Sequence, residues 1–414
     1  MATSTGAQLD TTPYWRDTAP MPRFPKLERN DRADVVIVGG GIAGLTAAYL
    51  LSRAGARVIV LERGRCADID TGHTSAHLTM VIDLRLTELV KNFGRDHAQA
   101  VWDAGLAAIA QIDAIVSDEQ IPCRFEWVDG FLHAPASGRG HRDESAFQRE
   151  AALATELGFD ASFVDDVPLV GGPGVRFANQ ARFHPREYLA GVARAAAARG
   201  ARIYEHSEAG EFSDDPLTIK SNGHSVAAGS VVLATHTPLV GNANLAAATL
   251  FQTKLALYTS YLVAGIVKKG RVPDVLWWDT ADPYHYLRIE PRRDHDVVIF
   301  GGEDHKTGQA DDTAACYERL TRALHGLLPH VELTHKWSGQ VIETPDGLPY
   351  IGETAKNQFA GTGFSGNGMT FGTLTGMMAA DRIAGRKNPW SELFDTGRAK
   401  IRGGLWDYLR ENKD

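Results

Sequence analysis

Cysteine is scarce in this chain, positive charge is outnumbered, and long apolar runs are nearly missing. Three cysteines occur in 414 residues, at Cys66, Cys123 and Cys316, with no C-x-x-C or C-x-H spacing. That excludes a disulfide framework and a locally built zinc or iron–sulfur site, and it fits a reducing compartment; the cytoplasm is the expected location. Lysine and arginine total 43 against 51 acidic residues, a formal charge of −8. A sequence-independent nucleic-acid binder needs a concentrated basic face, so no nucleic-acid partner is expected. Only residues 245–267 approach membrane-spanning length, and Gln252 and Lys254 interrupt them. Two buried strands explain that stretch better than a membrane span. The first residues, MATSTGAQLD, carry no basic n-region followed by an apolar core, so secretion by that route is not expected.

What is present is an ordinary globular composition, 43% apolar and 23% charged, at a length that calls for two or three folding units. Residues 1–33, with Pro13, Pro20, Pro22 and Pro25 and then a charged run, read as an extended arm whose PYW anchors on a surface. From Asp34 the order is β-branched run, glycine turn, helix-forming run and second β-branched run, a βαβ unit that implies a parallel sheet. Residues 87–118 have helical spacing, FEWVDGFLHAP reads as a hairpin about Asp129 and Gly130, and Pro185 opens a helix that Gly200 stops. YHYLRIEP and DVVIFGGEDH read as antiparallel strands of another sheet.

Gly39, Gly41 and Gly44 form G-x-G-x-x-G, and Glu62 stands 23 residues after Gly39 at the end of the second strand. Gly39 permits the tight turn, Gly41 lets a pyrophosphate approach the helix N-terminus at Ile42 and Ala43, and Gly44 allows close helix–strand packing. Glu62 is placed to accept ribose hydroxyls. These features specify a dinucleotide and leave NAD and FAD open. A second glycine loop, residues 359–385, also matches the pattern through Gly361, Gly363 and Gly366, with Asp381 at a comparable distance. No strand separates Asp381 from the helix that begins near Met369, so this is not a second nucleotide fold. Its helix N-terminus suits a flavin's pyrimidine edge, where negative charge appears on reduction.

VVIVGGGIAGL, VVLAT, TPDGLPYIG and GFSGNGMTFG occur in an order that resembles FAD-dependent oxidoreductases of the D-amino-acid oxidase, sarcosine oxidase and glycine oxidase superfamily. TGHTSAHLT, QARFHPREYL, GGEDHKTGQ and WSGQVIETPDGLPYIG are similar to a bacterial subgroup that often continues into a C-terminal Rieske domain; this chain ends about where that domain would begin and has no Rieske ligands. The resemblance implies an α/β plus α+β architecture: a Rossmann-like FAD-binding domain (34–90, 175–240 and 335–390), an antiparallel-sheet substrate domain (91–174 and 241–334), and a tail (391–414). It implies FAD held by Gly39, Gly41, Gly44, Glu62 and Arg63, by Thr74, Ser75, Ala76, His77, Leu78 and Thr79, by Ala234 and Thr235, and by Gly363, Phe364, Gly366, Asn367, Gly368, Met369 and Thr370. The implied reaction removes hydride from a carbon bearing an amine of a small-molecule substrate, with oxygen, a quinone or a separate electron carrier as final acceptor. Two departures bear on the substrate. Val341 stands where many relatives place a carboxylate-gripping arginine, and Thr370 where sarcosine oxidases place a lysine.

Candidate catalytic residues follow from strand alternation. Tyr284, Tyr286 and Arg288 share a face, with His285 opposite. If that face meets the cavity, Tyr286 bonds the amine and Arg288 takes an acidic group; otherwise both are packing residues. His305 or Lys306, after the strand DVVIFGG, would promote oxygen reduction if not part of a solvated loop. Trp277 and Trp278 would cap an apolar cavity or pack in the core. His73 and His77 lack a third ligand, so no metal is expected, and flavin contact is the better use for them. Oxidation of a C–OH group or ring carbon, and an FAD-binding electron-transfer subunit, remain open alternatives.

Overall fold

The computed structural model describes residues 9–135, 144–237, 255–309 and 312–398. One six-stranded sheet runs in the order Tyr350–Ala355, Gln358–Thr362, Ser230–Leu233, Val35–Val38, Val58–Leu61, Arg202–Tyr204. All neighbours pair in parallel except the Tyr350–Ala355 edge. Val35–Val38 and Val58–Leu61 are buried at every position, as continuous apolar strands covered on both faces must be. Two helices pack together beside this sheet, Ile42–Arg53 and Gly368–Ile383. Glycines set their approach: a Cβ at Gly372 would stand 2.7 Å from Ile42 Cγ2, and one at Gly376 2.8 Å from Thr46 Cβ.

A larger sheet roofs the first. Its order is Glu332–Glu343, Ala256–Lys268, His295–Lys306, Tyr286–Pro291, Leu276–Asp279, Glu126–His133, Gly174–Arg182, His77–Leu78, with Ala161–Val164 pairing Gly174–Arg182 off that path. It is antiparallel apart from the pair Leu276–Asp279 and Glu126–His133. The helix Thr313–Leu327, unforeseen in the sequence, covers its outer face with Cys316, Leu320 and Leu324 against Tyr261, Val298 and Phe300. A third small sheet joins Asp31–Arg32, His224–Ala227, Leu217–Ser221 and Phe212–Asp214.

Several expectations change. FEWVDGFLHAP is one strand, Glu126–His133, with a register shift between Val128 and Gly130 in place of a turn. A Cβ at Gly130 would strike the Trp278 ring at 2.7 Å, so this glycine serves close packing. Of residues 245–267, the part through 254 lies outside the described residues, and the remainder forms the single strand Ala256–Lys268. Residues 87–118 form two helices, Leu86–Phe93 and Arg95–Asp118, broken at Gly94 with φ 85°. The second is the one described helix long and apolar enough to cross a membrane, and it buries Val101, Trp102, Ile109 and Ile112 in the core. Glu332–Glu343, Gly174–Arg182 and His77–Leu78 belong to the roof sheet, although the expected boundaries put most of their residues with the cofactor domain. The arm is a core element: Trp15 is fully buried and donates Nε1–H to the Thr74 carbonyl at 2.7 Å. In the tail, Phe394 is buried and its carbonyl accepts from Ile351 N–H at 2.7 Å.

Candidate active site

Each glycine of the first loop does separate steric work. Gly39 has φ +107°, and a Cβ there would lie 2.6 Å from the Ala234 carbonyl oxygen; at Gly44 the same atom would lie 2.0 Å from the Gly39 carbonyl oxygen. At Gly41 a Cβ would meet only Thr71 Oγ1, at 3.1 Å, because that backbone faces a void. Gly41 precedes the helix Ile42–Arg53 and supplies no side-chain cap; Thr71 Oγ1 accepts the Ile42 N–H at 3.2 Å, and the positive end of the helix dipole faces that void.

The void is a cavity of about 980 Å³ between the two large sheets. Gly39, Gly41, Ile42, Ala43, Glu62, Arg63, Ala234 and Thr235 line one part of it. Gly363, Phe364, Gly366, Asn367, Gly368 and Met369 line another, at the start of Gly368–Ile383, so the two glycine loops converge on one space. Asn367 does not cap that helix; its amide donates to the Thr79 and Val81 carbonyls at 3.2 and 3.0 Å. Thr74, Ser75, His77 and Thr79 form the wall between them. Glu62 receives Gly40 N–H on Oε2 and Gly64 N–H on Oε1, both at 2.7 Å, and retains lone pairs for ribose hydroxyls.

Four of the expected cofactor residues stand behind the cavity wall. Gly44 packs on the Gly39 turn, Ala76 and Leu78 are buried, and Thr370 donates its hydroxyl to the Thr79 carbonyl at 3.0 Å. His77 lines the wall with both ring nitrogens engaged, Nδ1 with Ser75 Oγ at 3.0 Å and Nε2 with the Leu287 carbonyl at 3.2 Å. Burial, then the Arg288 charge, pull its pKa down to about 3, so the ring is neutral. His73 engages the Ser338 carbonyl through Nδ1 at 2.7 Å. No group of histidine, cysteine and acidic residues among the described residues has a metal-site arrangement. Asp381 sits on the helix Gly368–Ile383 and accepts from Arg386 and Asn388, as befits a helix rather than a second nucleotide fold.

At the roof the alternation holds, but the cavity reaches only part of the face. Tyr286 lines it, bonded to Ser260 Oγ at 2.7 Å, and Tyr284 lines it with its hydroxyl 3.3 Å from Asp83 Oδ1. His285, on the opposite face, stacks on Phe300 at 5.4 Å. Arg288 is fully buried beneath the strand His77–Leu78 and Trp15 instead of in the cavity. Its guanidinium pairs with Glu290 at 2.7 Å and donates to the Ala76 and Phe183 carbonyls. Burial lowers its pKa to about 10 despite Glu290. His305 also lies outside the cavity, bonded to Tyr261 OH at 2.8 Å, and Lys306 follows it away from the lining. Both belong to the strand His295–Lys306 and not to a loop. Trp278 lines the cavity, while Trp277 packs in the outer core.

Asp304 and Asp83 are the cavity groups that sequence reasoning missed. In the roof, Thr259 pairs with His305 and Tyr261 with Gly302, so Glu303 and Asp304 together face Ser260. This bulge, with Glu303 at φ 61°, re-aims Asp304 into the cavity. Asp304 Oδ1 is buried with no hydrogen-bond partner. Burial raises its carboxyl to about 6, partly offset by Ser260. Asp83 faces the void and accepts from Gly366 N–H at 3.2 Å; the surrounding protein raises its pKa also. An irregular loop holds Asp83, and no periodic pattern marks it.

A parallel-sheet domain with a glycine turn, a remote second helix N-terminus and an antiparallel roof over one shared cavity defines a dinucleotide-dependent flavoprotein architecture. The open Gly41 cradle and two helix N-termini in the cavity wall fit FAD, as does His236, whose Nε2 in that wall is buried and without a partner. The model for the FAD dependent oxidoreductase family, DAO, matches residues 34–382, and the chain belongs to that family. It is an FAD-dependent oxidoreductase. The chain is 29% identical over 413 residues to the putative Rieske 2Fe-2S iron-sulfur protein YhfW of Bacillus subtilis, covering 97% of this chain and 78% of that one. It is 23% identical over 376 residues to the gamma-glutamylputrescine oxidoreductase of Escherichia coli, covering 87% and 86%. The crystal structure of glycine oxidase from Geobacillus kaustophilus shares its fold, with a TM-score of 0.74 at 19% identity over 90% of this chain and all of that one.

Proposed function

We propose that this enzyme oxidises the C–N bond of a small-molecule amine. Bound FAD supplies the hydride acceptor. The observation that carries the reading is Asp304: a carboxyl in the cavity, held near pKa 6, with one oxygen buried and unpartnered. An arriving ammonium can donate to Oδ1 and leave its proton there, and the nitrogen lone pair is then free to assist loss of hydride from the adjacent carbon. Tyr286, fixed by Ser260, orients the nitrogen. Leu132, Leu262, Trp278 and Ile342 line the cavity and exclude water while the C–H bond is held. His77, its ring packed edge-on against Tyr286, has both nitrogens engaged and takes no proton from the substrate.

The gamma-glutamylputrescine and glycine oxidase relatives act on nitrogen compounds by name, which supports the same bond class. Three free, buried cysteines fit a cytoplasmic site of action. Oxygen or a separate electron carrier completes the turnover. Anaerobic titration tests the reading: amines should bleach the flavin absorbance of the holoenzyme and alcohols should not. Bleaching by an alcohol with no response to any amine would overturn it. NADH and NADPH should leave the spectrum unchanged.

A further inference from the structure

The roof end of the cavity carries an unusual charge balance for a fold shared with an amino-acid-class oxidase. Asp83 and Asp304 line it with Ser260, Tyr284, Tyr286 and Gln340, and no lysine or arginine among the described residues joins them there. Arg63 and Arg65 follow the strand Val58–Leu61 at the Glu62 end. Arg85, two residues beyond Asp83 in the chain, also lines the cavity, but its charge does not act on Asp83, whose electrostatics carry no contribution from any cation. Arg288 is on the correct face but is consumed by Glu290 and two carbonyls. Val341 offers only an apolar side chain.

We propose that the substrate is an aliphatic diamine or longer polyamine without a carboxylate, its reacting nitrogen at Asp304 and its second ammonium at Asp83. The inference rests on the amine-oxidation reading and narrows it. Asp304 Oδ1 is a buried acceptor with no donor, and Asp83 has only Gly366 N–H and the long Tyr284 hydroxyl contact, so both retain lone pairs for an ammonium. The Asp83 carboxylate disfavours ionisation of Asp304, and a dication relieves that repulsion. A substrate carboxylate beside Asp83 would instead add a negative charge where no cation acts. The two buried acids of the lining are already engaged, Asp279 by the Ala281 and His285 N–H groups and the His285 ring, and Glu150 by the Leu86 and Thr87 N–H groups and the Thr87 hydroxyl, which leaves Asp83 and Asp304 as the acids beside Tyr284 and Tyr286 with acceptor capacity to spare.

Calorimetry on dithionite-reduced holoenzyme, in which no turnover occurs, tests this with three four-carbon amines that differ only at the far end: 1,4-diaminobutane, butylamine and 4-aminobutanoate. The diamine should bind roughly tenfold or more tightly than butylamine, with 4-aminobutanoate weakest. Asp83→Asn should bring the diamine within about twofold of butylamine, whereas Asp304→Asn should weaken both. Equal or tighter binding of 4-aminobutanoate overturns the proposal. So does a full diamine preference in an Asp83→Asn protein with an unchanged flavin spectrum. If that variant does not fold, the affinity order in the parent protein decides alone. Anaerobic bleaching separates the two readings: reduction by amino acids but not diamines sinks this one and leaves amine oxidation standing, and reduction by alcohols alone sinks both.

Discussion

Asp304 combines a carboxyl disfavoured by burial with an unpartnered oxygen in the cavity. Ser260, Tyr286, Asp83, His285 and His305 act on it, yet burial dominates and lifts it to about 6. A native pKa above the unfolded value means the folded state holds the proton longer. Stability therefore falls as pH rises from about 4 to 6 and stays reduced above that window. Asp304→Asn should accordingly be more stable than the parent at pH 8, by on the order of 1–2 kcal/mol, and equal to it near pH 4, as read from urea denaturation at both values. Amine-dependent flavin reduction should slow in the same variant. Arg288 and Glu290 behave in the opposite sense. Both are fully buried and paired at 2.7 Å, so Glu290→Gln, which leaves a buried guanidinium without its counter-charge, should cost about 3–5 kcal/mol in the same assay.

Among elements, the strand–turn–helix from Val35 to Arg53 was legible because its apolar run, glycine spacing and helical run each have a local physical cause. Gly44 carries the closest contact: a Cβ 2.0 Å from the Gly39 carbonyl oxygen has no room without moving the turn. Gly44→Ala should lower the melting temperature and release FAD, measured as flavin fluorescence in the filtrate, and a variant that keeps its flavin would show that the turn yields. The helix Pro185–Ala198 was equally plain, with Pro185 first, His184 Nδ1 accepting from Glu187 N–H and Gly200 at φ +92°. The roof was read less well. Glu126–His133 resembles a hairpin because Asp129-Gly130 is a turn signal, but Gly130 is there to admit the Trp278 ring. Around Asp304 the register slip at Ser260 broke the alternation from which side-chain direction is inferred.

For the molecule as a whole, the arm joins the roof to the cofactor wall. Tyr14 OH accepts from Arg292 at 2.7 Å, Trp15 bonds the Thr74 carbonyl and lies 5.3 Å from the Arg288 guanidinium, and Asp10 bridges His335 of the roof. Trp15→Ala should cost about 3–5 kcal/mol through the cavity it leaves. Since Thr74 lines the FAD space, the same variant should also bind FAD more weakly, as measured by refilling deflavinated protein. Unchanged affinity alongside lost stability would show that the arm supports the core without setting the wall.

The sequence by itself determined the parallel sheet, a dinucleotide site and both glycine loops, since each follows from short-range spacing that steric and helix-dipole rules make legible. Tertiary structure alone decided which polar groups line the cavity. Arg288 lost its place there to a buried partner, while Asp83 and Asp304 gained theirs from a loop and a bulge. Strand parity gives a side chain's face, whereas access to a cavity depends on what distant segments lay over that face.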